Sequence, residues 1–371
     1  MNNKTHFSVQ YLIESTSEDE AEKIALKLCL EQSVEMPHNT VPDSAKEYIA
    51  QLDSLEKTGS RQWISTLIFS KKLVEDDPTQ LLNILYGNSS LKPGIKVLDV
   101  DDHAFLGVLK GPAFGIEGIR GMLNSEGRPL SCTALKPVGL TVADFAERAY
   151  KFTRGGIDII KDDHGLTDQH AAPFKDRLIA CERAIRKGEQ ISGKRTLYFP
   201  NITTSALNIR DRFDQAVEYG ADGVLICPQL TGPEVMHGLA RLNQIPVMAH
   251  PSFSGAFVIH DNHGFSPELY FGKIWRAFGA DSIIYPNAGG RFGFDIHQCK
   301  AINKACRHNF SDFKPSFPTP AGGINLNSIH KWVSEYDRDT IYLVGGSLYQ
   351  HPDGIEKATQ EFQAQLNQNE P

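Results

Sequence analysis

From about residue 130 the chain repeats one pattern eight times: a short, nearly all-apolar run, then a stretch with helical spacing. The runs are LSCTALKP (130–137), GIDIIKDD (156–163), LYFPNIT (197–203), GVLICP (223–228), IPVMAH (245–250), SIIYPN (282–287), PSFPTPAGG (315–323) and TIYLVGG (340–346). The helical stretches between them include VADFAERAYKF, NIRDRFDQAVEYG and PELYFGKIWRAFG. A strand that is apolar throughout is buried on both faces, as parallel strands are. Eight βα units fit a closed barrel better than an open doubly wound sheet. The expected class is α/β, with a C-terminal (β/α)8 TIM barrel.

The barrel does not need all 371 residues, and the chain is longer than one hydrophobic core usually serves. The first part has a different rhythm. FSVQYLIE (7–14) alternates like a strand, EDEAEKIALKLCL (18–30) has helical spacing, and RQWISTLIFS (61–70) and GIKVLDVD (94–101) read as strands. A polar, irregular stretch holding Pro37, His38 and Pro42 lies between. The division expected is a smaller N-terminal α+β domain of ferredoxin-like type over 1–120 and a barrel domain over 121–371.

Charge and composition exclude several classes. A net charge of −7 gives no electrostatic reason to bind nucleic acid or an acidic membrane. No run of about 18 apolar residues predicts a membrane span, and the start, MNNKTHFSVQYLIEST, has no long apolar leader core. Cys29, Cys132, Cys181, Cys227, Cys299 and Cys306 are scattered, with no CxxC pair. They read as buried thiols in a reducing cytoplasm. Trp63, Trp275 and Trp332 read as packing residues, and the glycine-rich GVLKGPAFGIEGIRG (107–121) does not fit a dinucleotide-binding fingerprint.

In such barrels the active site lies at the carboxyl ends of the strands. Lys136, Lys161, Asp163, Asn201, His250, Asn287, Gly322–Gly323 and Gly345–Gly346 all fall where a run ends. In Lys161-Asp162-Asp163-His164 the period of a strand turns 161 and 163 to one side and 162 to the other. The functional reading is a hard-cation site, to which a lysine contributes oxygen only as a carbamate. The plain alternative is a salt-bridged strand end. Lys136, among apolar residues, suits a proton carrier or a lysine that snorkels to solvent. Glycine pairs after the seventh and eighth runs suit a phosphate cradle, with Arg291 in NAGGRFG as its cation. His250 is a candidate substrate contact or a capped structural histidine.

Taken together, GGIDIIKDD, the LKP strand end, GPAFGIEGIRG, PAGGI and VGGSLYQHPDG resemble ribulose bisphosphate carboxylase and its RuBisCO-like (form IV) relatives, along with an EQS stretch at Glu31–Ser33. The resemblance covers nearly the whole chain. It implies an α+β domain before a (β/α)8 barrel, and sites built at a dimer interface, in a homodimer or a higher oligomer of dimers. It implies Mg2+, with CO2 carbamylating Lys161, Asp163 as second ligand, and His164 where the family usually has a glutamate ligand. A neutral imidazole there makes Mg2+ binding weaker or altered. Lys136 matches the family's catalytic lysine, Glu31 the acidic residue contributed across the interface, and Arg291 the mobile-loop lysine. Gly322, Gly323, Gly345 and Gly346 match one phosphate site.

Departures from the family pattern narrow the chemistry. The second lysine after LKP is absent, since Val138 follows Lys136-Pro137. At the family's distal phosphate site the aligned residues are Phe253 and Ile284, an apolar pair that cannot neutralise a phosphate. The expected substrate is a phosphosugar with one phosphate, and carboxylation of ribulose bisphosphate is not expected. Members of this superfamily stabilise negative charge next to a carbonyl with a metal ion. Ser252, Ser254, Tyr285 and Asn287 suit a short hydroxylated acid, and the reading favours decarboxylation of 3-oxo-isoapionate 4-phosphate in apiose breakdown. The alternatives are a transcarboxylase or hydrolase on that compound, and a methionine-salvage enzyme. The latter is either a 5-methylthioribulose-1-phosphate isomerase or a diketo-methylthiopentyl-phosphate enolase, whose methylthio group Phe253, Ile284 and Val138 would accommodate. A non-catalytic binding scaffold is the remaining alternative.

Overall fold

The eight apolar runs become eight parallel strands. A computed structural model describes residues 5–310 and 312–368. The chain folds as two units, one of residues 1–110 with 254–270 and one of 111–253 with 271–371. The sequence alone suggests a single boundary at 120, with 254–270 counted in the barrel.

In the first unit, strands β1 (His6–Glu14), β2 (Gln51–Lys57), β3 (Gln62–Ser70) and β4 (Ile95–Val100) form a sheet ordered β4-β1-β3-β2. The two-residue strand Gly264–Phe265 adds in parallel beyond β4, which is why 254–270 belongs here. Helix Glu18–Glu31 follows β1. Ser17 caps it by accepting from the Glu20 N–H, and Glu18, Asp19 and Glu20 favour its positive end. Helix Pro78–Tyr86 follows β3, completing a β-α-β-β-α-β order. The strand the sequence hid is β2, QLDSLEK. It pairs only with β3 at the sheet edge, so no face of it is fully buried and no apolar alternation marks it.

The second unit is the barrel. Its strands are β5 (Leu130–Leu135), β6 (Ile159–Asp162), β7 (Leu197–Phe199), β8 (Val224–Ile226), β9 (Val247–Ala249), β10 (Ser282–Pro286), β11 (Phe317–Ala321) and β12 (Ile341–Val344). They run in the order β7-β6-β5-β12-β11-β10-β9-β8. The β7–β8 seam is closed by Leu225 N–H to Pro200 O at 2.9 Å and Ile202 N–H to Leu225 O at 3.0 Å. The strand residues are buried except Pro286 and Ala321, which are half-buried at their strand ends, so the barrel interior is a packed core.

One end of that core is plugged by helix Gly115–Leu123, from the glycine-rich segment. Its Ile116, Ile119 and Leu123 pack with Leu130, Cys132, Ile159, Phe199, Met248, Ile284 and Leu343. Gly115 has φ +64, and a Cβ there would sit 2.8 Å from the Pro315 carbonyl oxygen. The carboxylate of Asp281, just before β10, accepts the Phe114 and Gly115 N–H groups at 2.7 Å and that of Val247 at 2.8 Å. These contacts hold the plug on the amino ends of the strands, away from the carboxyl ends.

All six cysteines are free and buried, and the three tryptophans are buried, as expected. Among the described residues no helix is long and apolar enough to cross a membrane.

Candidate active site

At the end of β6 successive side chains part company. Asp162 turns outward and is fully buried, with Arg177 at 3.1 Å, the Tyr198 hydroxyl donating at 2.9 Å and the Asn201 N–H at 3.1 Å. This carboxylate is structural. Lys161 turns inward, 1% exposed, and its Nζ donates to the Asp162 carbonyl at 3.0 Å. Burial holds its amine below the ordinary lysine range. Neutral amine is the form that reacts with CO2 to give a carbamate.

Asp163 is where the candidate residues meet. Its Oδ2 lies 3.4 Å from Lys136 Nζ, at the end of β5. Its Oδ1 lies 3.8 Å from Lys161 Nζ and 3.4 Å from His164 Nδ1. Burial raises the carboxyl, but the contact with His164 and the charges of Lys161 and Lys136 outweigh it and hold Asp163 below the usual carboxylate range. The His164 ring stacks on that of His250, with centroids 4.4 Å apart and planes at 16°. His250 Nδ1 accepts the Ser252 N–H at 3.1 Å, so its proton sits on Nε2. Burial, then the charge of Lys161, keeps this imidazole neutral, well below the usual histidine range.

The other candidates take several roles. Asn201 is buried and spends its amide on the loop after β6, donating to the His164 carbonyl at 2.9 Å and the Leu166 carbonyl at 3.1 Å. It shapes the site rather than facing into it. Gly322 and Gly323 have φ +107 and +70, and a Cβ on Gly323 would lie 2.7 Å from the Gly289 oxygen. Here glycine lets two loops approach. Gly345 and Gly346 have nothing within 4 Å of such a Cβ, so their backbone borders open space. Arg291 is exposed after β10, its guanidinium over the Phe292 ring at 4.9 Å. Glu31 lies in the first unit, where Lys92 pairs with it at 2.8 Å and Asn88 donates to it at 3.2 Å.

Two residues assigned to the substrate cavity lie elsewhere. Ile284 belongs to the buried barrel core, because the strand ends two residues later and the period turns it inward among Met248 and Phe317. Tyr285 is fully buried, and its hydroxyl accepts from Asn303 Nδ2 at 3.4 Å, against helix Ile296–Arg307. Asn287 does sit at the strand end, but its amide donates to Gly322 O at 3.1 Å and accepts the Tyr336 hydroxyl at 2.6 Å. Phe253, 72% exposed with φ +69, and Val138, 48% exposed, remain as apolar surface.

Sequence reasoning missed Tyr349. It lies within the VGGSLYQHPDG motif, and its hydroxyl reaches back to the end of β5. An aromatic four residues after Gly345 was the only trace of it.

Among the described residues no three His, Cys, Asp or Glu side chains are grouped to hold a metal. Carbamylation of Lys161 would supply a third donor. A buried lysine with a lowered affinity for its proton, beside a carboxylate that an imidazole also approaches, would fit a divalent cation once CO2 had converted the amine to an oxygen donor.

The family model for the ribulose bisphosphate carboxylase large chain, catalytic domain, matches residues 115–367. The chain is 34% identical to ribulose bisphosphate carboxylase-like protein 1 of Rhodopseudomonas palustris, over 91% of this chain and 92% of that one. It is 34% identical to a 5-methylthioribulose-1-phosphate isomerase of Rhodospirillum rubrum, over 91% and 90%. A 2,3-diketo-5-methylthiopentyl-1-phosphate enolase of Bacillus velezensis is 32% identical over 95% and 90%. Among solved structures, a RuBisCO-like protein from Rhodopseudomonas palustris superposes with a TM-score of 0.90 at 31% identity, covering 99% of both chains. The octameric carboxylase of Pyrococcus horikoshii gives 0.90 at 26%, covering 98% of this chain and 88% of that one. Barrel, plug helix, strand-end lysines and these matches agree: the chain belongs to the ribulose bisphosphate carboxylase large-chain family, among its RuBisCO-like members.

Proposed function

We propose that this chain is a cation-dependent proton-transfer enzyme for a methylthio-substituted sugar monophosphate, with isomerisation of 5-methylthioribulose 1-phosphate as its reaction. The observation that carries the reading is the 3.4 Å approach of Lys136 Nζ to Asp163 Oδ2. The Lys136 amine stands beside a group that would hold a cation. Lys161 as carbamate, Asp163 and His164 would hold Mg2+ or a related ion. When bound, the ion supplies positive charge for the oxygen next to the carbon that loses its proton.

Lys136 would take that proton and return it to the neighbouring carbonyl carbon, while the hydroxyl proton of the first carbon passes to the former carbonyl oxygen, which together is an isomerisation. The open backbone of Gly345 and Gly346 and the Arg291 side chain serve the single phosphate. Val138 and Phe253 offer apolar surface to the methylthio group. Relatives named as an isomerase and as enolases support proton transfer in this substrate class. Enolisation of 2,3-diketo-5-methylthiopentyl 1-phosphate differs only in where the proton is returned. The decarboxylase reading loses support, since two of the four residues it relied on, Tyr285 and Asn287, are spent on internal bonds. An oligomer, with a homodimer as its unit, is proposed from the octameric neighbour.

The test is incubation with Mg2+, bicarbonate and each phosphosugar in D2O, following phosphorus NMR, deuterium uptake and CO2 release. Deuterium uptake from the methylthio substrates without CO2 release supports the proposal. CO2 release from 3-oxo-isoapionate 4-phosphate, with no exchange in the thio-sugars, restores the decarboxylase.

A further inference from the structure

The third protein donor of the cation site is a nitrogen, and its placement bears on which ion the site selects. His164 Nδ1 lies 3.4 Å from Asp163 Oδ1. That is beyond the usual N–H···O separation of about 2.9 Å. It is the spacing of two donors on one ion: bonds of about 2.1 Å meeting at 90–110° separate their ligand atoms by roughly 3.0–3.5 Å.

The ring is also fixed. His250 stacks on one face at 4.4 Å, and the Asn201 amide holds the His164 carbonyl at 2.9 Å. His250 is itself held by the Ser252 N–H. Stacking on one face and the held backbone restrict this ring, which is 42% exposed, and place Nδ1 beside Asp163.

We propose that His164 makes this a site that favours first-row transition-metal divalent ions over Mg2+ more strongly than a carboxylate in its place would, with Mn2+ as the spectroscopic probe of that class. The inference rests on the cation-site reading above and adds the class of ion. A neutral donor at position 164 gives less charge to a hard ion bound through oxygen. Imidazole suits the transition ions, whose affinity for nitrogen exceeds that of Mg2+. Since no three His, Cys, Asp or Glu side chains group among the described residues, binding should also require the Lys161 carbamate and so depend on bicarbonate.

The experiment uses the full-length protein with Mn2+ as probe. Free Mn2+ is counted by EPR with and without bicarbonate, and displaced by Mg2+ to give the affinity ratio. Pulsed EPR of bound Mn2+ then reads 14N coupling. The expected results are bicarbonate-dependent binding, a 14N coupling, and loss of that coupling in His164→Glu. The Mn2+/Mg2+ affinity ratio should fall at least tenfold in that variant. The wild-type coupling is read without any variant, so the idea remains testable if His164→Glu does not fold. Bicarbonate-dependent binding with no 14N coupling, or a coupling and ratio unchanged in His164→Glu, overturns the inference but leaves the cation site. No Mn2+ binding, or binding unaltered in Lys161→Ala, overturns both.

Discussion

The Tyr349 hydroxyl donates to the Ala134 carbonyl at 2.7 Å, tying the short helix Gly346–Tyr349 after β12 to the end of β5. The same hydroxyl accepts the Lys136 N–H at 3.3 Å, and the Arg148 guanidinium lies over the ring at 5.1 Å. Lys136 is thus anchored through its backbone while its side chain reaches Asp163. Tyr349→Phe keeps the ring and removes the hydroxyl. We expect it to cost about 1 kcal/mol of stability, the usual net worth of one hydrogen bond. We expect kcat to fall more than KM rises, because the proton carrier is displaced while the phosphate contacts stay. Equal changes in both would mark Tyr349 as a packing residue only.

Lys161→Ala should abolish cation-dependent turnover, since the chain then lacks both the buried amine and its carbamate. Thermal unfolding separates this from misfolding. Turnover at the wild-type rate in a folded Lys161→Ala protein would reject the site assignment.

Arg291→Met should mainly raise KM for a phosphorylated substrate and leave kcat close to wild type, because the exposed guanidinium serves binding in the ground and transition states alike. The comparison is with an unphosphorylated analogue. If both compounds are affected equally, Arg291 has no role at the phosphate.

Asp281 gives a pH prediction away from the site. Burial pushes its carboxyl up to about 6, even though three backbone N–H groups stabilise the charge. A carboxyl raised on folding adds stability that is full below its unfolded value, near 4, and is lost as pH rises through about 6. Asp281→Asn does not titrate and turns an amide N–H2 toward one of those N–H groups, so it should destabilise the plug helix. The destabilisation relative to wild type should be larger at pH 5 than at pH 8, by about 1 kcal/mol. Urea unfolding at the two pH values measures it, and a difference of the opposite sign would contradict the burial argument.

Some of this protein follows from sequence alone. The eight apolar runs specify buried parallel strands, because only such strands can be apolar on both faces. The period of two at Lys161-Asp162-Asp163 already puts Asp163 on the side of Lys161 and Asp162 on the other, and the structure pairs them so, Asp163 with Lys161 and Asp162 with Arg177. Other features had no local signal. β2 is an edge strand, so no apolar alternation records it. The stretch 254–270 joins the first unit through pairing with β4, a contact between segments more than 160 residues apart. Ile284 and Tyr285 were misplaced because sequence gives the alternation of a strand but not the residue at which the strand ends. Asn201, His250 and Tyr349 act through bonds to residues distant in the chain, and only the closed barrel brings those partners within hydrogen-bonding or stacking range.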